Sequence, residues 1–308
     1  MNTIAERQDE EIQLKRLLAQ RRLYSRAKFI FGVQTSIAVP GAIICYGLVV
    51  WKSELKVFAA LWGTLVTLAD LFVFTPWQQS LKDKAARIQE QFDCDVLELP
   101  WQDITVGQRA SAETVAEWGA LKPGESYADF KLPGWYPKDV EALSIELGRA
   151  VCQRTNCWWD SRLRRNYASW VVAVVVALLV GGIVLGIGMK MPLDTFFLGF
   201  LLPFIPAFIL GSRQFIEQRQ AAERLERLRQ QVERQWDQLL SGKATVEAVA
   251  ESARRVQDVM FEQRRKNPVI LDKFYFWLRD DHQSIMHRNA QSLVAEAEER
   301  IKKLGTSG

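Results

Sequence analysis

The stretch FIFGVQTSIAVPGAIICYGLVVW (residues 29–51), followed after five residues by VFAALWGTLVTLADLFVF (57–74), decides the fold. Each run is close to the roughly 20 apolar residues that a helix needs to cross a hydrocarbon core about 30 Å thick. The pattern recurs downstream as WVVAVVVALLVGGIVLGIGM (170–189) and LDTFFLGFLLPFIPAFIL (193–210). Two apolar hairpins therefore predict a mainly α membrane protein with four transmembrane helices. The mean hydropathy of −0.08 conceals them, because the rest of the chain is charged.

The first run starts behind a charged leader and is too long for the apolar core of a secretory signal, so it is expected to remain in the mature protein. The hairpin tips, 52–56 and 190–194, carry only Lys52, Lys56 and Lys190, leaving 37 of the 40 lysines and arginines elsewhere. The positive-inside rule then places both termini in the cytoplasm. The expected division is a cytoplasmic amphipathic leader helix (1–28), a first transmembrane hairpin (29–74), a cytoplasmic middle or sensor segment (75–169), a second hairpin (170–210) and a cytoplasmic helical tail (211–308). With so little chain outside, anything sensed is expected to be cytoplasmic.

A formal charge of +4 is too small to argue for duplex nucleic acid as a partner. The four cysteines contain no CxxC, and His282 and His287 lie far from them, so no metal site is expected. No Walker A, GxGxxG, GxSxG or HExxH pattern occurs, and the chain reads as a non-enzyme without a cofactor.

In the leader, apolar residues at helical spacing run into Arg21, Arg22, Arg26 and Lys28 at the membrane surface. Beyond 210, Phe215, Leu225, Leu228, Val232, Trp236 and Leu239 predict one long helix to Gly242, then a second helix over about 245–265 stopped by Pro268. The aromatic run Phe274, Tyr275, Phe276, Trp277 precedes a last helix. The middle segment opens with a charged helix (about 78–91), then the alternating Phe92-Asp93-Cys94-Asp95-Val96, read as a possible short strand.

Before the third span the chain reads CQRTNCWWDSRLRRNY (152–167). One reading is an interfacial aromatic belt with an inside-positive flank. The other is a ligand site, because Trp135, Tyr136, Trp158 and Trp159 offer faces for base stacking while Lys138, Arg149, Arg154 and Arg162 offer phosphate donors. Both stay open. Within the spans, Asp70 is an embedded acid, read either as functional or as hydrogen-bonded near the cytoplasmic end. Gly182 and Gly186 permit close helix approach, and Pro40, Pro203 and Pro206 loosen the bundle.

The segments AERQDEEIQLKRLLAQRRLYSRAK (5–28), FDCDVLELPW (92–101), GWYP (134–137), CQRTNCWWDSRLRRNYA (152–168) and NPVILDKFYFWLRDDHQ (267–283) together resemble the SMODS-associated four-transmembrane effectors of bacterial CBASS anti-phage systems. The resemblance implies a sensor-effector: a cyclic oligonucleotide, a cyclic di- or trinucleotide, binds the cytoplasmic part, and an oligomer of the spans disrupts or permeabilises the lipid bilayer, causing abortive infection. The competing expectations are a constitutive channel or transporter, for which the spans are too apolar and show no inverted repeat, and a membrane-anchored scaffold.

Overall fold

The structure, a computed structural model, describes residues 2–241, 245–271, 291–300 and 302. After a short turn, α1 (Ile4–Arg7), helix α2 (Glu11–Trp51) runs unbroken from the leader through the first span. A 3-10 turn (Ser53–Leu55) leads to α3 (Lys56–Ala69), a π turn (Asp70–Phe74) and α4 (Thr75–Val96), which together form one continuous rod. Two short helices follow, α5 (Asp103–Val106) and α6 (Ala112–Gly119), then a 3-10 turn (Lys138–Ala142). Helix α7 (Ile145–Gly188) descends through the third span, and α8 (Leu193–Phe196), a π turn (Phe197–Leu201) and α9 (Leu202–Leu240) return as the fourth. Helix α10 (Val246–Lys266) and the helical stretch 291–300 pack back against the extramembrane ends.

Among the described residues, four helical runs of 41, 44, 44 and 48 residues carry windows apolar enough to cross a membrane. At 1.5 Å per residue each is roughly 60–70 Å long, about twice the hydrocarbon thickness. The rods therefore protrude as stalks from the side that carries the soluble mass. Both tips lie at the opposite end, where Lys56 pairs with Asp194.

Each π turn sits just ahead of a proline, Pro76 or Pro203. A proline lacks the amide hydrogen and clashes with the carbonyl four residues back, and a widened turn absorbs that clash. In the spans, Phe58, Leu65, Phe72, Val184 and Ile187 are all exposed. An apolar girdle of this extent belongs against lipid.

Inside the bundle the glycines are contact points. A Cβ on Gly182 would lie 1.9 Å from the Phe200 ring, and one on Gly186 would lie 2.7 Å from Phe196. Gly188 and Gly181 face open space. The two glycines singled out from sequence thus seat span three on span four of the same chain.

Asp70 opens the π turn of the second span, where Gln34 of α2 and Thr75 donate to it and Arg213 of α9 reaches both its oxygens at 3.0 and 3.1 Å. The acid is embedded, yet it is a cross-link among three rods.

The expectation of a strand at 92–96 does not hold, because α4 continues to Val96. Phe92 and Val96 are one helical turn apart and both fully buried, so the five-residue alternation also satisfies the helical period. Asp93, read as the polar side of a strand, is completely buried and bonded to Arg264, Tyr136 and Gln257. The aromatic run 274–277, His282 and His287 lie outside the described residues.

Candidate ligand cavity

Where the stalks meet the membrane-proximal end, five helices enclose a cavity of about 340 Å³. Helix α2 contributes Gln20, Arg21, Tyr24, Ser25 and Lys28, one face at helical spacing. Helix α4 supplies Lys82 and Gln89, and α7 supplies Asn156, Trp159, Asp160 and Arg164. Gln263 and Arg264 come from α10, residues 267–270 form a further wall, and the 131–135 loop adds Lys131 and Trp135. Among the described residues its lining holds six cations, Arg21, Lys28, Lys82, Lys131, Arg164 and Arg264, against one carboxylate, Asp160.

Lys82 is the least conventional of them. Its side chain lies on the buried stripe of α4 with Ala85, Ala86 and Gln89, and Nζ donates to the carbonyls of Asn267 (3.1 Å) and Lys266 (3.4 Å). No described carboxylate forms an ion pair with it, and burial draws its pKa down to about 8. Arg164 pairs through Nε with Asp160 at 2.9 Å and donates through Nη1 to Pro268 O at 2.9 Å and Gln218 Oε1 at 2.7 Å. Arg264 pairs with Asp93, which also accepts from Tyr136 Oη at 2.7 Å and Gln257 at 2.9 Å. Beside it Glu90, wholly buried, accepts from Arg254 at 2.6 Å and from Gln257 at 2.8 Å; burial and the neighbouring Asp93 push its pKa up. The cavity thus backs onto a rigid buried polar network.

Three polar atoms of wall residues make no hydrogen bond among the described residues: Tyr24 Oη, Asn267 Nδ2 and Arg164 Nε, whose contact with Asp160 is an ion pair only. Buried donors are ordinarily paired, and orphans facing a cavity mark where a ligand or water would bond. Cys157 borders the space as well, but burial pushes its thiol up to about 12, which keeps it neutral and unreactive.

Of the residues singled out from sequence, Trp135 and Trp159 reach the cavity. The other six do not line it. Tyr136 is a core residue stacked on Phe92 at 6.1 Å, with its hydroxyl committed to Asp93. Arg149 caps the end of α4 by donating to Leu97 O (2.6 Å) and Glu98 O (2.7 Å). Arg154 is bound to Glu233 of α9 at 2.6 and 2.9 Å, Arg162 lies 5.7 Å over the Trp158 ring on the outer face of α7, and Lys138 is exposed at its 3-10 turn. Sequence reasoning missed Lys82, Arg164 and Arg264. Lys82 and Arg264 carried a legible signal, a charge on an otherwise buried helical stripe.

Residues 2–293 match the family described as the SMODS-associating 4TM effector domain. The chain belongs to this family. A probable CBASS effector molecule of Bacillus cereus (strain VD146) is 24% identical over 289 residues, 91% of this chain and 95% of the relative. No solved structure matches. The 4TM effector domain accounts for the four rods, and it assigns the protein an effector role in anti-phage defence.

Proposed function

We propose that this 4TM effector is a ligand-gated, non-catalytic membrane disruptor of the inner membrane: a cyclic oligonucleotide binds the cavity between the stalks, and a homo-oligomer of the spans then permeabilises the bilayer. Both termini face the cytoplasm in this reading, where such a signal would be made. The supporting observation is the composition of the cavity wall, which among the described residues sets six cations and the aromatic side chains of Tyr24, Trp135 and Trp159 against one carboxylate, already paired. Guanidinium and ammonium groups bind phosphodiesters, and aromatic faces stack on bases with little regard to base identity. Duplex nucleic acid would not fit a cavity of this size.

The rods give the signal a mechanical route, because the same continuous helices line the cavity and cross the membrane. Two bundle packings a few kcal/mol apart would be switched by a ligand whose affinities differ by that amount; roughly 5.5 kcal/mol gives a near-complete flip. The test is purified protein in detergent and in dye-loaded liposomes, each challenged with a panel of cyclic di- and trinucleotides. One member should raise the melting temperature and release dye only when protein and nucleotide are both present. Release without nucleotide would favour a constitutive channel, and binding without release a scaffold.

A further inference from the structure

Helix α10 ends at Lys266, and Pro268 cannot extend it, so the backbone beyond is extended and its carbonyls must find partners outside the helix. Side chains of three rods supply them. Gln79 of α4 donates to Arg265 O (3.1 Å), Lys82 to Lys266 O and Asn267 O, Arg164 of α7 to Pro268 O, and Gln218 of α9 to Pro268 O (3.4 Å) and Val269 O (3.3 Å). Five consecutive carbonyls are thus clasped, and the two cations among the donors are cavity residues. The next side chains, Val269 and Ile270, are buried at the membrane boundary. Val269 packs in the cluster of Ile30, Val66, Ala207 and Leu210, and Ile270 in that of Leu163, Tyr167 and Val171, so both wedge among the span ends.

Resting on the cyclic-oligonucleotide reading of the cavity, we propose that Lys82 and Arg164 are its phosphate-binding residues, that the carbonyls at 266–268 occupy them in the ligand-free protein, and that the segment 265–271 is a latch which ligand phosphate displaces. The carbonyl oxygens stand where phosphate oxygens would bind. They are neutral acceptors on charged donors, and a phosphate makes the stronger, charge-assisted bond while supplying the counter-charge that Lys82 lacks. Because residues 267–270 are themselves a cavity wall, displacement also enlarges a space that is small among ligand sites. Withdrawal of Val269 and Ile270 then frees the span ends to repack.

The test uses full-length protein in nanodiscs and liposomes with a panel of 3′,5′-linked cyclic di- and trinucleotides. Lys82→Gln keeps a neutral donor for the carbonyls and removes the charge, so its melting temperature should stay close to the parent's while nucleotide affinity falls tenfold or more. Amide hydrogen exchange over 264–271 should quicken when the parent binds nucleotide. The pair Val269→Ala with Ile270→Ala, which weakens the latch and leaves the cavity cations intact, should leak dye without nucleotide.

Unchanged affinity in Lys82→Gln, or exchange over 264–271 that stays constant or slows on binding, overturns the proposal. Fast exchange in phosphatidylglycerol nanodiscs before any nucleotide, against slow exchange in phosphatidylcholine, would name a lipid headgroup as the phosphate and overturn it too. If the parent binds no member of the panel, the cyclic-oligonucleotide reading fails by itself; leakage from the double variant then still supports the latch, and silence overturns it.

Discussion

Two groups of basic residues, one on α7 at 149–162 and one around the cavity, have the same chemistry and opposite circumstances. Arg149 is consumed by the carbonyls that end α4, and Arg154 by Glu233. Lys82 and Arg164 also donate to carbonyls, but those carbonyls belong to a short segment that ends the fold of α10. The difference lies in what a competing anion must displace: a carboxylate or a rigid helix end at Arg154 and Arg149, the clasped strap alone at Lys82, and at Arg164 the strap beside its own partner Asp160. Residue type near a membrane is therefore a poor guide to a binding site until its partners are known.

The comparison would break most visibly at Asp93. Asp93→Ala strips Arg264 of its buried carboxylate, and loss of one member of a buried pair typically costs about 3–5 kcal/mol, so the variant is expected to unfold much earlier in a thermal scan in detergent. An unchanged melting temperature would mean that the network behind the cavity is not a rigid wall.

Arg164→Ala and Trp159→Ala should each weaken cyclic-oligonucleotide binding by roughly ten- to a hundredfold in calorimetry, the effect of losing a charge-assisted bond or a stacking face of about 1.5–3 kcal/mol. Arg154→Ala and Arg162→Ala should bind within about twofold of the parent. Reversed results would return the site to the outer face of α7.

Gly186→Leu is expected to cost about 1–3 kcal/mol by forcing Phe196 aside, with reduced dye release and nearly normal nucleotide affinity, whereas Gly188→Leu meets nothing and should be silent in both assays. Equal effects would show that the glycines act between subunits.

A smaller effect is expected from pH. Burial holds the Lys82 pKa at about 8, with Glu217 and Asp83 raising it and Arg164 and Arg213 lowering it. The unfolded chain, with an ordinary lysine, binds more protons between about pH 8 and 10.4, so this group makes ligand-free stability rise with pH across that window. Phosphate binding needs the charged form and should weaken a few-fold as pH passes through about 8. Calorimetry between pH 7 and 9 checks the sign, and Lys82→Gln should flatten the profile.

The four spans were legible in the sequence because transfer of an apolar run into lipid is a property of consecutive residues, independent of the rest of the chain. The long amphipathic helix after span four was legible for a similar reason, since Leu225, Leu228, Val232 and Trp236 fall on one face by period alone and all are buried. The stretch 92–96 misled because five residues can satisfy two periods at once, and the covalently continuous α4 decided between them. Trp135 and Trp159 were found by chemistry, yet their cationic companions were not. The cavity is a meeting of α2, α4, α7, α9 and α10 with the segment 267–270, residues from Gln20 to Ile270 in the chain. Sequence alone settled where the chain crosses a membrane and which faces of its rods are apolar, because both follow from local periodicity and solvent transfer. Which arginines are bound to carboxylates, which lysine is buried beside bare carbonyls, and which glycines carry a phenylalanine ring were decided only by tertiary packing, because each depends on the partner that the fold brings alongside.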